Sequence, residues 1–191
     1  MGPGLGRSAR VRAEVKQLCG IGIPVVLDAD ALAAVGSEPL CGAAGGATGG
    51  AIGNAVGSAG LSAGPSLVLT PHDGEYVELM GHPPGRDRLA AARAAAQRHS
   101  AVVLLKGPTT VVAEPGGDAL VVRSGDSRLA TAGTGDVLSG LIGAYLAAGA
   151  EPLRAAAAAA HLHGRAAEAA GGDGVVAGDV AEVLGAARAV L

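Results

Sequence analysis

Three short, unbroken apolar runs constrain this chain most: Pro24-Val-Val-Leu-Asp28, Leu67-Val-Leu-Thr70 and Val102-Val-Leu-Leu-Lys106. A strand with one wet face alternates apolar and polar residues, whereas an unbroken run requires cover on both faces. Helical patterns surround these runs. Arg10 to Gly20 sets Val11, Val15, Leu18 and Cys19 on one stripe, and Asp87 to His99 turns Leu89, Ala92 and Ala96 to one side. Strand alternating with helix predicts an α/β fold with βαβ units, right-handed crossovers and a mainly parallel sheet between two helix layers. Thr110–Ala113 and Ala119–Arg123 flank the turn Glu114-Pro-Gly-Gly-Asp118, which predicts an antiparallel hairpin at the sheet edge.

The last third reads as three helices, Asp136–Ala148, Glu151–Ala170 and Asp179–Leu191. Pro152 suits the first turn of the second, and Asp179 the cap of the third. With 43 Ala and 33 Gly among 191 residues, two Tyr and no Phe or Trp, the core must come from Val, Leu and Ile. The run Ala155–Ala160 forms helix strongly, and its small side chains allow close approach to a sheet. Residues 36–66 hold ten glycines and one charge, Glu38, which predicts an inserted loop within a single domain spanning 1–191.

Several functions are disfavoured. A net charge of −3 without a basic block, and almost no aromatics, predicts no nucleic-acid partner. The longest apolar candidate, Val137–Ala150, is too short for a membrane span and is broken by Ser139, Gly140, Gly143 and Gly149. No secretory signal pattern opens the chain, and Cys19 and Cys41 form no CxxC pair, so the expectation is reduced thiols in a cytoplasmic protein.

The chemistry concentrates in Ala130-Thr-Ala-Gly133-Thr134-Gly135-Asp136-Val-Leu-Ser139-Gly140. A glycine-rich turn entering an apolar helix presents unpaired N–H groups with the positive end of the helix dipole behind them. Such a start suits phosphate oxygens, with Gly133, Thr134 and Gly135 forming the anion hole. An acid at that place repels an anion unless it has work to do. Asp136 either caps the helix or accepts the proton of a hydroxyl attacking phosphorus. Lys106-Gly107-Pro108-Thr109-Thr110 follows a strand, where open α/β sheets place ligands, and reads as a phosphate clamp or as an exposed turn. Asp28 and Asp30 can hold Mg²⁺ through water or serve turn hydrogen bonds. His161 and His163, two apart on a helix, cannot share a metal and read as structural, as does Glu75. The residues predict no protein metal-ligand cluster.

Five segments together, Gly2-Pro-Gly-Leu-Gly6, Val26-Leu-Asp-Ala-Asp-Ala-Leu32, Thr70-Pro-His-Asp-Gly-Glu75, Leu105-Lys-Gly107 and Ala132-Gly-Thr-Gly-Asp-Val-Leu-Ser-Gly140, resemble the ADP- or ATP-dependent NAD(P)H-hydrate dehydratases of the ribokinase-like superfamily. The Gly-x-Gly-Asp element is shared widely there; the segments at Asp28 and His72 narrow the resemblance to this branch. It covers nearly the whole chain outside 36–66. It departs at Ala132, where glycine is common, and in the strand, helix and glycine-rich segment that family members carry before the first glycine turn. The resemblance therefore implies a ribokinase-like three-layer sandwich lacking its leading strands.

The implied reaction repairs a damaged cofactor: ADP or ATP, with Mg²⁺, phosphorylates the C6 hydroxyl of the S-epimer of hydrated NADH or NADPH, and elimination of phosphate restores the ring. By the same resemblance, Asp136 is the base and lies against the hydrate. Lys106, Gly107, Pro108, Thr109, Thr110 and Gly135 bind the nucleotide, and Gly4, Gly6 and His72 bind the hydrate. A homo-oligomer and an NAD(P)HX epimerase domain or protein as partner are also implied. Two alternatives are another ribokinase-like kinase acting on a vitamin-precursor alcohol and an inactive nucleotide-binding fragment.

Overall fold

The computed structural model describes residues 1–40 and 67–189, so most of the predicted 36–66 loop lies outside the described residues. Its sheet has five strands in sequence order: β1 (Val25–Leu27), β2 (Leu67–Leu69), β3 (Val102–Leu105), β4 (Thr110–Ala113) and β5 (Ala119–Val122). β1, β2 and β3 run parallel, with Val26 beside Val68 and Val68 beside Val102. β4 and β5 are antiparallel, closing the hairpin expected around Glu114–Asp118.

The apolar runs are explained by where their alternate residues go. Val25, Leu27, Leu67, Leu69, Val103 and Leu105 enter a core beneath α1 (Ala9–Cys19), α2 (Asp30–Val35), α3 (Asp73–Met80) and α4 (Arg88–His99). Val26, Val68, Val102 and Leu104 enter a second core beneath α5 (Thr134–Ala147) and α6 (Pro152–Ala170). α7 (Ala177–Ala189) packs outside α5 and α6 around Val175, Val180 and Ala187. Both faces of the parallel strands β1–β3 are thus dry, as unbroken runs require, while Leu120 and Val121 of the edge strand β5 stay exposed. Aromatic bulk enters the first core only through Tyr76, fully buried, whose hydroxyl donates to Ala91 O at 3.1 Å and ties α3 to α4.

Three sequence expectations need correction. α2 was not foreseen, because Asp28-Ala29-Asp30 reads as a strand end; the chain instead reverses at Ala29 (φ 49°, ψ −122°) and starts a helix at Asp30. α5 begins two residues earlier than predicted, with Gly133 at its N-cap (φ 87°), which makes Asp136 the third helical residue. Asp179 is likewise third in α7, and its carboxylate accepts from Val176 N–H at 2.9 Å without occupying the cap position.

α6 carries the second core because alanine lets it lie close: Ala155, Ala156, Ala159, Ala166 and Ala167 are all essentially inaccessible. At Gly164 the approach leaves no room for a side chain, since a Cβ would overlap the Ser124 carbonyl and sit 2.7 Å from Gly125 N. Backbone cannot yield as a side-chain tip can, so Gly164→Ala should lower unfolding free energy by about 1–3 kcal/mol, measured by urea denaturation.

Two buried histidines set the pH response. Burial lowers His163 to about 4, although the Thr134 backbone beside it favours the charged ring. Burial also lowers His99, although the Leu79 backbone beside it favours the charged ring. The unfolded imidazole takes its proton near 6.5, so between that pH and about 4 the unfolded state binds more protons. Stability should therefore be greatest above pH 6.5 and fall through this window, by roughly 3 kcal/mol for His163 alone once pH 4 is passed. Denaturation midpoints of wild type and His163→Leu across this range check the slope, which should be shallower in the variant.

Candidate active site

The C-terminal ends of the parallel strands converge on Lys106. Its backbone N–H donates to Pro71 O at 2.8 Å, joining the ends of β2 and β3. Its Nζ lies 2.8 Å from Asp28 Oδ1 at the end of β1 and 3.5 Å from Glu75 Oε2 in α3. The Asp28 side chain is 5% exposed and also accepts from Ser139 Oγ at 3.1 Å, which brings in α5. A Cβ on Gly135 would sit 3.4 Å from Asp28 Oδ2 and 3.7 Å from Lys106 Nζ, so the helix start lies directly against the ion pair. The anion turn and the lysine turn, 26 residues apart at Lys106 and Ala132, thus meet at one place.

The turn before α5 is fixed from below. Thr134 is buried, and its Oγ1 donates toward Leu129 O at 2.7 Å and Thr131 O at 2.8 Å. Its hydroxyl is therefore committed to the loop. Thr134 N–H is turned to Thr131 O at 3.4 Å and Asp136 N–H to Gly133 O at 3.1 Å, which leaves Gly135 N–H without a partner among the described residues. Of the three predicted anion-hole residues, Gly133 shapes the turn, Thr134 holds it, and Gly135 presents a free amide. Asp136 is exposed, and its carboxylate makes no hydrogen bond or ion pair among the described residues. The chain start passes beside it: a side chain on Gly2 would begin 4.0 Å from Asp136 Oδ1.

Asp28 and Asp30, considered together in the sequence, serve opposite sides. The positive φ at Ala29, costing about 1–3 kcal/mol for a residue with a Cβ, turns Asp28 toward Lys106 and Asp30 toward the chain start. Asp30 Oδ2 accepts from Gly4 N–H at 3.0 Å and Gly6 N–H at 3.1 Å. Both glycines have φ near +80°, at 83° and 75°, which explains their presence. A cleft of about 280 Å³ is lined by Arg7, Ala29, Asp30, His72, Gly74, Glu75 and Glu78, which puts Asp30, the acceptor of the glycine-turn amides, and His72 on one cleft.

His72 is the N-cap of α3. Its Nδ1 accepts from Gly74 N–H at 3.0 Å and Glu75 N–H at 3.2 Å, while Glu75 Oε2 accepts from His72 N–H at 2.8 Å. Because Nδ1 is the acceptor, Nε2 carries the proton of the neutral ring, and it lies 3.5 Å from Glu75 Oε1 on a half-exposed side chain. His72→Asn keeps a capping oxygen and removes the ring Nε2–H. It should hold stability within about 0.5 kcal/mol of wild type while weakening any ligand of the cleft, as titration of the hydrated dinucleotide would read.

Gly107, Pro108 and Thr109 form an exposed turn entering β4 at Thr110. Three participants were not found from sequence. Ser139 and Glu75 reach Lys106 and its partner from helices whose phase was uncertain by two residues. Arg88 comes from the start of α4: its Nη2 donates to Lys106 O at 2.6 Å and its Nη1 to Asp73 Oδ1 at 2.8 Å. The only signal for it is the Asp87-Arg88 pair at a helix start, which is common on any surface.

With this geometry in place, comparison with known proteins is specific. Residues 1–186 match the family model described as NAD(P)H-hydrate dehydratase. The chain is 42% identical over 167 residues to the bifunctional NAD(P)H-hydrate repair enzyme of Mycobacterium leprae, covering 87% of this chain and 32% of that one. It is 40% identical over 194 residues to the ADP-dependent (S)-NAD(P)H-hydrate dehydratase of Neisseria meningitidis serogroup B, covering 95% and 59%. The fold superposes with a TM-score of 0.80 and 28% identity on an ADP/ATP-dependent NAD(P)H-hydrate dehydratase from Bacillus subtilis co-crystallized with ATP/Mg²⁺, covering 100% of this chain and 63% of that one. The chain thus spans about a third of the bifunctional relative and under two thirds of the other two.

Proposed function

This chain belongs to the NAD(P)H-hydrate dehydratase family, and on that premise we propose that it uses ADP or ATP to return the S-epimer of hydrated NADH or NADPH to the reduced cofactor. The observation that carries the reading is the exposed Asp136 carboxylate standing one residue beyond the free Gly135 amide at a helix start. Phosphoryl transfer to an alcohol needs a proton acceptor beside the hydroxyl and donors on the phosphoryl oxygens, and these two residues supply both. Lys106 provides positive charge at the same place, with Gly107, Pro108, Thr109 and Thr110 as the turn over the nucleotide. His72 lines the cleft for the hydrated dinucleotide together with Asp30, whose carboxylate holds the Gly4 and Gly6 amides. The C6 hydroxyl oxygen attacks the terminal phosphorus of the donor, Asp136 takes the hydroxyl proton, and AMP or ADP leaves. Phosphate then departs from C6 and a proton from the neighbouring ring carbon, which restores the double bond.

Asp28 and Glu75 aim their carboxylate oxygens at Lys106 Nζ, which occupies that position, so Mg²⁺ would be held by the phosphates of the nucleotide rather than by this pair. When bound there it would neutralise charge on the transferring phosphoryl group. Among the described residues no three metal-ligating side chains cluster, so the protein alone makes no closed metal cage. No helix among them is long and apolar enough to cross a membrane. An epimerase domain or protein that supplies the S-epimer is the partner this reading calls for, and the bifunctional relative is consistent with one.

Incubation with the hydrated S-epimer, ADP or ATP and Mg²⁺ should restore reduced-nicotinamide absorbance. Nucleotide consumption with a vitamin-precursor alcohol and none with the hydrate would favour a different kinase of the same fold.

A further inference from the structure

Arg88 lies outside every segment that carries the catalytic reading, yet its guanidinium forms the floor of the lysine turn. Lys106 is held by its backbone on both sides: its N–H by Pro71 O at 2.8 Å and its C=O by Arg88 Nη2 at 2.6 Å. The guanidinium then lies against the next residue. A Cβ on Gly107 would sit 2.5 Å from Arg88 Nη2 and 2.8 Å from Cζ, so the guanidinium occupies the space a side chain at Gly107 would need. The other arm reaches Asp73 at 2.8 Å, the residue directly after the α3 cap His72. Arg88 is only 19% exposed, and its Nε is buried with no hydrogen-bond partner among the described residues. A buried unpartnered donor is costly. The two outer nitrogens, not the side chain's own best hydrogen bonding, therefore fix where the group sits.

We propose that Arg88 is a positioning residue for nucleotide binding: it sets the path of Lys106-Gly107-Pro108 and ties that turn to the α3 start that faces the hydrate. The proposal rests on the nucleotide-binding part of the function stated above. It explains two sequence features at once. Gly107 must lack a side chain because a guanidinium occupies the space, and residue 88 must be arginine because only a planar fork can span a carbonyl and a carboxylate while lying against Gly107. Lysine keeps the charge and loses the fork.

The test is ADP affinity by calorimetry on the full chain, with kcat and KM for the hydrate reaction beside it. Arg88→Lys should weaken ADP about tenfold and raise nucleotide KM similarly, with kcat changed less than about threefold and the melting temperature kept. Gly107→Ala should weaken ADP by a similar factor in the wild-type background and by much less in Arg88→Ala, because the clash is with the guanidinium. Unchanged ADP affinity in Arg88→Lys, or equal Gly107→Ala effects in both backgrounds, would overturn the proposal. Loss of fold in Arg88→Lys would also overturn it, in favour of a purely structural role. A wild type that binds ADP without restoring the hydrate contradicts the proposed reaction while leaving this inference open to the affinity measurements. A wild type that binds no nucleotide contradicts both.

Discussion

Asp136→Asn is expected to lower kcat by about 10²–10⁴ while leaving ADP affinity within about twofold of wild type. Asparagine keeps the size and the exposed position, so neither the Gly133–Gly135 turn nor the Thr134 anchors should move. What disappears is the proposed proton acceptor, since the carboxylate supports no hydrogen bond or ion pair among the described residues. An acid that merely stabilised the helix start through the dipole would be worth about 0.3–1 kcal/mol of stability and nothing in turnover. Pre-steady-state phosphate release from wild type and variant, with calorimetric ADP titrations, separates the two roles. Similar ADP affinity with collapsed turnover places Asp136 in the chemical step.

Lys106→Met should be the most damaging single change to the fold of the site. Asp28 is buried, and its charge is balanced by Lys106 at 2.8 Å, with Ser139 as a further donor. Removing one partner of such a pair costs about 3–5 kcal/mol, and the lower end applies because Lys106 keeps a fifth of its surface in water. Nucleotide binding should be lost as well. The double variant Asp28→Asn/Lys106→Met should recover most of the stability and none of the binding, because the uncompensated charge is gone and the phosphate clamp remains absent. Urea denaturation of the two single variants and the double variant reads the coupling. Equal stability of Lys106→Met and wild type would mean the pair is solvated and does not organise the strand ends.

The fold was legible where physics is local and redundant. Unbroken Val/Leu runs at 25–27, 67–69 and 102–105 could only be strands covered on both faces, and Glu114–Asp118 could only be a tight turn between strands. The α6 helix was equally plain, from Pro152 at its start to the alanine run that seats it on the sheet. α2 was illegible because its start depends on Ala29 at positive φ, a conformation that alanine disfavours and that only surrounding contacts can hold. The site divides the same way. The glycine turn entering a helix with Asp136 in its first turn is plain in the sequence, and the structure has that arrangement. The roles of Asp28 and Asp30 do not: adjacent acids look like a pair in sequence, and only the turn at Ala29 sends one to Lys106 and the other to Gly4 and Gly6. His72 shows a third case: its capping role through Nδ1 is a local matter of the α3 start that the sequence did not single out. Arg88 was hidden because its partners are a backbone carbonyl, a glycine surface and Asp73 on another helix, which no local spacing encodes.

The most direct test of the account counts phosphate against restored cofactor in the full chain. With the hydrated S-epimer, nucleotide and Mg²⁺, one inorganic phosphate should appear for each reduced nicotinamide recovered, and both signals should vanish together in Asp136→Asn. Nicotinamide recovery without nucleotide, or recovery undiminished in Asp136→Asn, would contradict a phosphorylated intermediate formed at this helix start.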